Sequence, residues 1–474
     1  MADAATAPGR APREVLGERR MSDLEALLWN IDKDPYLSSN FGSITLLEAL
    51  PDLNRFRRRM QVAVARIPRL HQRVVPALGR LAPPEWCDDT DFDIDRHLRH
   101  VALPAPGSLR QLLDLATLFV QDPLDRTRPL WEFVVVDGLA DGRAALIQKM
   151  HHTITDGEGG IRLSEQFIDA NPDAPVDDEV TIPGGTDRVG SLWGTTCDTL
   201  AHGWRRGLGI ANRTIGVTVD TATHPTQLAR LGAGTVETGR SVARQLTVTD
   251  PHRSPLWGGA TLGRHFELLD VPLDETHRAA KALGGSINDL FVAATVAGAG
   301  AYHRQLGVEV DELRMAMPVS TRQGGSAGGN SFVPTRVLVP AGDVDPVTRF
   351  EQVHDVLTRT KAERAIGLVA GLAGLANLLP TSVLVRIARQ QAETVDFTTS
   401  NLRAAPFDLY LAGARIEGTY PLGPLAGTAF NLTMMSYRGV LNLGLHVDSG
   451  VVTDPPRLRD TIAEGFDELI AAGS

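Results

Sequence analysis

Two adjacent histidines stand just ahead of an Asp-Gly pair in His151-His152-Thr153-Ile154-Thr155-Asp156-Gly157. Histidine is the side chain most easily poised to take a proton near neutral pH, so the stretch suits general base chemistry. The preceding Ala144-Ala145-Leu146-Ile147-Gln148-Lys149-Met150 reads as an apolar strand, and Gly157 to Ala170 reads as a helix. The pair then sits where a rigid strand gives way to a loop, a place where a scaffold presents reactive groups. Three readings are open: satisfied core residues, a metal site, or one catalytic base. Successive strand side chains point to opposite faces, which argues against both histidines holding one ion. No helical H-E-x-x-H and no Cys/His cluster accompanies them. The same alternation suits a single base, with one imidazole facing a channel while the other packs or orients the loop. Asp156 can fix the turn, and Gly157 permits a backbone conformation that a side chain would resist.

These residues need elements to hold them. Trp131 to Val136 and Ala144 to His151 are apolar runs separated by Asp137-Gly138 and Asp141-Gly142, which predicts a strand-loop-strand hairpin. Ile161, Leu163, Phe167 and Ile168 provide an apolar face for the helix that follows. Upstream, Asp23 to Ile31 begins helical, Ser43 to Leu47 reads as a strand and Asp52 to Val64 as a helix. Asn171 to Gly185, with Pro172, Pro175, Pro183 and four acidic residues, reads as an exposed linker. Ser191 to Leu246 then reads as mostly helical, broken at His224-Pro225. In the second half, Phe266 to Val271, Arg314 to Val319, Thr335 to Val339 and Leu441 to Val447 read as strands. Asp274 to Leu283 and Pro455 to Ala471 read as helices, and Ser286 with Asp289 makes a capping-box-like start for a longer one.

The chain has 474 residues, enough for two domains, and an ordinary hydrophobic fraction of 43%. A formal net charge of -10 argues against general nucleic-acid binding. Arg55, Arg57, Arg58 and Arg59 still form a local basic run on the Asp52 helix. A solvated helix face is its plain explanation; contact with coenzyme A phosphates or anionic lipid is the other. The 2 cysteines, Cys87 and Cys197, imply no disulfide framework and fit a reducing cytoplasm. Residues 1–14, rich in Ala and Pro, read as a disordered tail without a secretory apolar core. No apolar stretch reaches the length of a membrane span. Ala365 to Leu379 comes nearest, but Gly367, Gly371, Gly374 and Asn377 interrupt it and Pro380 stops it. It reads as a core or channel-lining helix, with a position on lipid as the alternative.

His151-His152-x-x-x-Asp156-Gly157 resembles the signature of the acyl-CoA-dependent acyltransferase superfamily. That group includes chloramphenicol acetyltransferase, peptide-synthetase condensation domains and polyketide-associated acyltransferases. Other segments resemble the bacterial wax ester synthase/diacylglycerol acyltransferase family. They are the opening Met21-Ser22-Asp23-Leu24-Glu25-Ala26-Leu27, Pro129-Leu130-Trp131 before the histidine strand, and Asn288-Asp289 within Gly285 to Leu290. Met317-Pro318-Val319-Ser320-Thr321-Arg322 and Ser436-Tyr437-Arg438-Gly439 complete the set. Their order and separation make it specific from about Met21 to the C-terminal helix. One stretch departs: where the family has Ser-Asn-x-x-Gly-Pro, this chain has Ser400-Asn401-Leu402-Arg403-Ala404-Ala405-Pro406, and the Gly-Pro turn is lost.

The resemblance implies a mixed α/β fold: two chloramphenicol acetyltransferase-like domains, residues 15–180 and 261–474, joined by a largely helical linker at 181–260 and meeting around a tunnel. It implies an O-acyltransferase that moves a fatty acyl group from acyl-CoA, as co-substrate, to diacylglycerol or a long-chain alcohol. No metal and no bound cofactor is expected. His152 is the implied base, with His151, Asp156 and Gly157 completing the motif. Asn288 is a candidate oxyanion donor, and Asn288 and Asp289 also read as helix-start residues. Arg322 is the implied partner of Asp156, in a buried pair whose disruption costs roughly 3–5 kcal/mol. Leu368, Leu372, Leu375 and Leu378 are candidate tunnel wall or ordinary core, beside the small Gly371 and Gly374. The alternatives are acyl transfer to a specialised-metabolite hydroxyl or amine, and a lipid-binding protein without turnover. Peripheral association with the inner membrane face or lipid inclusions stays open. Gly324-Gly325-Ser326-Ala327-Gly328 matches G-x-S-x-G, but the segment after it reads as loop and strand where a hydrolase needs a helix.

Overall fold

The computed structural model describes residues 19–77, 82–176, 251–320, 332–362, 377 and 379–474. The first half runs α1 (Asp23–Ile31), β1 (Asn40–Leu47), α2 (Leu53–Arg66), β2 (Gln72–Val75), β3 (Glu85–Asp88), β4 (Leu98–Ala102), α3 (Leu109–Gln121), β5 (Trp131–Asp137), β6 (Ala144–His151), α4 (Gly157–Ser164) and β7 (Ile168–Asp169). The second half runs β8 (His265–Pro272), α5 (Leu273–Ala282), α6 (Ile287–Gln305), β9 (Glu312–Ser320), β10 (Phe332–Pro340), α7 (Pro346–Ala362), α8 (Thr381–Ala392), β11 (Phe397–Arg403), β12 (Tyr410–Leu411), β13 (Ala414–Leu422), β14 (Phe430–Tyr437), β15 (Val440–Val447) and α9 (Pro455–Ala472). The helix expected over Gly157 to Ala170 ends at Ser164, because Ile168 and Asp169 leave it to pair with Leu411 and Tyr410.

The fold class is the expected one, a mixed α/β molecule with two sheets. One sheet has seven strands in the order β4-β5-β6-β1-β13-β12-β7, and the other has six in the order β10-β9-β11-β14-β15-β8. The sheets do not divide where the chain does. β12 and β13 belong to the second half by sequence yet complete the first sheet, β13 running antiparallel to β1 with Thr45 opposite Thr419. A cut into 15–180 and 261–474 therefore follows chain order but not the hydrogen-bonded sheets. The inner edge of β1 must find a partner, and the strand that returns from residue 414 supplies it. The expected helical linker lies outside the described residues as far as residue 250, and 251–260 is irregular.

The second sheet is covered by α6 and α9. Gly298 and Gly465 bring these two helices together: a Cβ on Gly298 would lie 2.4 Å from the Ile462 Cα. α6 begins at the expected capping box, with Ser286 accepting from the Asp289 N–H and the Asp289 carboxylate accepting from the Ser286 N–H. Among the described residues no single helix is long and apolar enough to cross a membrane.

The halves are also clasped by side chains. Arg110 of α3 donates to the Phe266 carbonyl at 3.0 Å and to Glu267 at 2.9 Å. Arg389 of α8 forms a two-point pair with Asp34 and lies over the Tyr36 ring. Three of the four arginines of the basic run on α2 are engaged within the fold. Arg55 donates to the Ala174 carbonyl at 2.6 Å, Arg59 pairs with Asp169 at 2.6 Å, and Arg57 pairs with Asp95 at 2.9 Å. Only Arg58 of the four is exposed. The run ties down the segment leaving β7, a long-range role that local charge density does not reveal.

Candidate active site

The β5–β6 hairpin delivers the histidine pair. Trp131 lies opposite Met150, and Asn40 of β1 lies opposite His151. The His151 N–H donates to the Leu130 carbonyl at 3.0 Å, and the His152 N–H donates to the Ser39 carbonyl at 3.1 Å. The last residues of β6 are thus pinned on both sides. Trp131 is fully buried and donates to the Leu70 carbonyl at 2.8 Å, so the Pro129-Leu130-Trp131 segment packs and anchors.

The two imidazoles have different surroundings. His151 is buried, and its Nδ1 accepts from the Thr153 N–H at 3.0 Å. In the neutral ring that leaves the proton on Nε2, 3.4 Å from the Asp32 carboxylate. Asp32 in turn accepts from the Ser39 N–H at 2.7 Å and from Arg126 at 3.2 Å. The guanidinium of Arg126 lies 3.4 Å over the Trp29 ring. His151 therefore lies between Thr153 of its own loop and the Asp32 carboxylate at the end of α1.

His152 lies beside Phe41, with ring centroids 4.6 Å apart. Burial pushes its pKa from 6.5 down to about 4, and the neighbouring His151 adds in the same direction. The Asp156 carboxylate and a backbone hydrogen bond with Thr155 oppose that shift. The ring is neutral at pH 7 and able to accept a proton.

Asp156 is the N-cap of α4, accepting from the Gly159 N–H at 2.8 Å. Gly157 is not there for an unusual backbone, which corrects the expectation from its place in the turn. It is the first helical residue, and a Cβ there would lie 2.8 Å from Leu402 Cδ2. The glycine makes room for a side chain arriving from β11 of the second half. Leu402 belongs to the stretch that departs from the Ser-Asn-x-x-Gly-Pro pattern.

Asp289 is buried in the cap of α6, and its carboxylate also lies 3.0 Å from His354 Nδ1. Asn288 is half-buried, with its Oδ1 3.4 Å from Asn401 Nδ2. Arg322, the glycine-rich stretch 324–328, Cys197, and Leu368, Leu372, Leu375 and Leu378 with Gly371 and Gly374 lie outside the described residues. Among the described residues no group of three or more His, Cys, Asp or Glu is placed to hold a metal. Cys87 is half-buried, and burial pushes its thiol pKa up, away from nucleophile behaviour.

Two cavities flank the histidine loop. The larger, about 770 Å³, lies between the halves and is lined by Ile161 and Arg162 of α4, His277 of α5 and Asn401 to Pro406. The smaller, about 250 Å³, is lined by Ser38 and Asn40, the end of α3, Arg264 and His446. His152 lines neither, so these cavities do not by themselves make one tunnel through it. Asp32, Ser39, Phe41 and Leu402 were not legible as site residues. They reach the loop through tertiary contacts and carry no motif.

Residues 21–291 match the wax ester synthase/diacylglycerol acyltransferase catalytic domain, and residues 328–470 match the WS/DGAT C-terminal domain. A Mycobacterium tuberculosis protein provisionally named a diacylglycerol O-acyltransferase is 34% identical over 472 residues, covering 95% of this chain and 92% of its own. A second protein of that organism, provisionally named in the same way and as tgs1, is 29% identical, covering 93% of each chain. Among solved structures, the wax ester synthase/diacylglycerol acyltransferase from Marinobacter aquaeolei VT8 has a TM-score of 0.64 at 21% identity, covering 96% of this chain and 99% of its own. The first condensation domain of the calcium-dependent antibiotic synthetase has a TM-score of 0.61 at 16% identity, covering 96% of both chains. At those identities the two structures speak to the fold alone.

Proposed function

This chain belongs to the wax ester synthase/diacylglycerol acyltransferase family and is an acyltransferase. On that premise we propose that it moves a fatty acyl group from acyl-CoA, the family's co-substrate, to diacylglycerol or a long-chain alcohol, with His152 as general base. The observation that carries the reading is a neutral imidazole at the end of β6, inside the intact His151-His152/Asp156-Gly157 set. The alcohol oxygen attacks the thioester carbonyl carbon while His152 takes the hydroxyl proton. The tetrahedral intermediate collapses with loss of the coenzyme A thiolate, which recovers the proton from the imidazolium. The products are an ester and a free thiol, and no acyl-enzyme is needed. The test is thiol release from palmitoyl-CoA with a panel of diacylglycerol, long-chain alcohols and amines. Release with the lipid alcohols supports the assignment; release with amines alone, or with none of the panel, rejects it.

The acceptors are insoluble, so the protein must meet them at a lipid surface. Val383 and Ile387 are exposed one turn apart on α8, beside exposed Leu379, and make an apolar stripe suited to shallow contact. Flotation with emulsified triolein, before and after Val383→Asp/Ile387→Asp, tests this: equal flotation of the two proteins rejects the stripe.

A further inference from the structure

Asp32 is an acid in a place that disfavours one. It is the C-cap of α1, where the last backbone carbonyls leave partial negative charge, so the end of the helix repels a carboxylate. Its side chain is largely buried. Helix-end chemistry gives no reason for it, but its contacts do.

One carboxylate oxygen accepts from the Ser39 N–H at 2.7 Å, and the Ser39 carbonyl receives the His152 N–H at 3.1 Å. The other oxygen accepts from Arg126 at 3.2 Å and lies 3.4 Å from His151 Nε2. The Thr153 N–H can only donate, so His151 Nδ1 is an acceptor, and a neutral ring carries its proton on Nε2, toward Asp32. That nitrogen is buried and makes no hydrogen bond among the described residues, which leaves the Asp32 carboxylate to offset its burial. Contacts of this kind are often long in a free enzyme and tighten when substrate binds.

The acid is itself held. Arg126 also donates to the Trp29 carbonyl at 2.6 Å, and its guanidinium lies 3.4 Å over the Trp29 ring. The same ring meets His151 edge-on, with centroids 6.1 Å apart. A cation this close keeps Asp32 from being an unpaired charge. One carboxylate thus bears on both histidines: on His151 at its ring, and on His152 through Ser39.

We propose that Asp32 is a positioning residue for the proton transfer, setting the tautomer of His151 and the place of the His152 backbone. The effect on turnover rests on His152 being the base; the effect on the two rings does not.

Asp32→Asn is the informative change. The amide oxygen can still accept from Ser39, but its NH₂ then faces Arg126 and the His151 Nε2–H, donor against donor. With palmitoyl-CoA and hexadecanol or dioleoylglycerol, kcat should fall about 10- to 100-fold, the effect of a misplaced catalytic group. KM for palmitoyl-CoA should stay as in wild type, because binding is untouched. A folded Asp32→Asn with wild-type kcat, or one whose only change is a lower Tm, overturns the proposal. Spectra of protein labelled with ¹⁵N-histidine read the rings without turnover. Wild type should show His151 as the Nε2–H tautomer, and the Nδ1–H tautomer there would overturn the proposal whether or not the variant folds. In Asp32→Asn the signals of both His151 and His152 should move, and unmoved signals in a folded variant count against it equally. Absence of thiol release with every acceptor would reject the acyltransferase reading, while these spectra still decide whether Asp32 sets the two rings.

Discussion

Two side chains one residue apart on the chain have different surroundings. His151 accepts from Thr153 and faces the Asp32 carboxylate, whereas His152 lies beside Phe41. His152→Ala should abolish nearly all thiol release with thermal unfolding unchanged, while His151→Ala should lower Tm as well as activity. Turnover near wild type in a folded His152→Ala would remove the base assignment. Asp156 admits a sharper test, because Asn caps helices about as well as Asp. Asp156→Ala should cost about 1 kcal/mol through the lost cap. Asp156→Asn keeps the cap, so a loss of 3–5 kcal/mol in urea unfolding would reveal a buried partner such as Arg322. The depressed histidines also set a pH dependence. The pKa values of His152 and His446 fall from 6.5 to about 4 and about 3, and those of His97 and His303 also fall, chiefly through burial. Between 6.5 and the folded values the unfolded chain binds more protons, so this stability is full above pH 6.5 and is lost as pH falls. The urea midpoint should drop from pH 7 to pH 5; a midpoint that rises would contradict neutral buried rings.

At the level of elements, the first turn of α4 is where the second half meets the histidine loop. Gly157 and Leu402 share one space, and the obstructing atom is the far end of a flexible side chain. Gly157→Ala should therefore push Leu402 off its rotamer at a cost of about 1 kcal/mol, rather than unfold the protein. The same substitution in a Leu402→Ala background should cost less. Additive effects on Tm and on kcat across this cycle would show that the two residues do not compete for space. The hairpin and α6 were readable from sequence because each has a local signature: alternation bounded by Asp-Gly turns for the one, a capping box for the other. α4 was overextended because its end is set by β7 pairing with β12, a strand some 240 residues away that no local pattern announces.

At the level of the whole molecule, the first sheet is incomplete without the second half. β13 pairs with β1 along Gly42 to Leu47, and β12 carries β7. A fragment of residues 1–260 leaves the inner edge of β1 unpaired and should remain unfolded by circular dichroism and NMR dispersion. Mixing it with residues 261–474 should restore structure. A fragment 1–260 that folds alone with native-like dispersion would refute this dependence. The clasp of Asp34 with Arg389 and the reach of Arg110 to Glu267 join the halves further, so the intact chain should unfold in one transition.

The sequence by itself determined the family, the mixed α/β class, the hairpin and the place of the histidine pair at its end. These depend on short-range order: an apolar run ending in His151-His152, an Asp-Gly turn after it, and motifs in a fixed succession. Tertiary structure alone decided what surrounds them. That Asp32 faces His151, that Arg55 and Arg59 dock the chain after β7, that Leu402 explains Gly157, and that Asn40 and His446 share one cavity are contacts between segments far apart on the chain. Such contacts leave no periodicity and no spacing in the sequence. They arise when buried polar groups must find partners among whatever strands and loops the packing brings near.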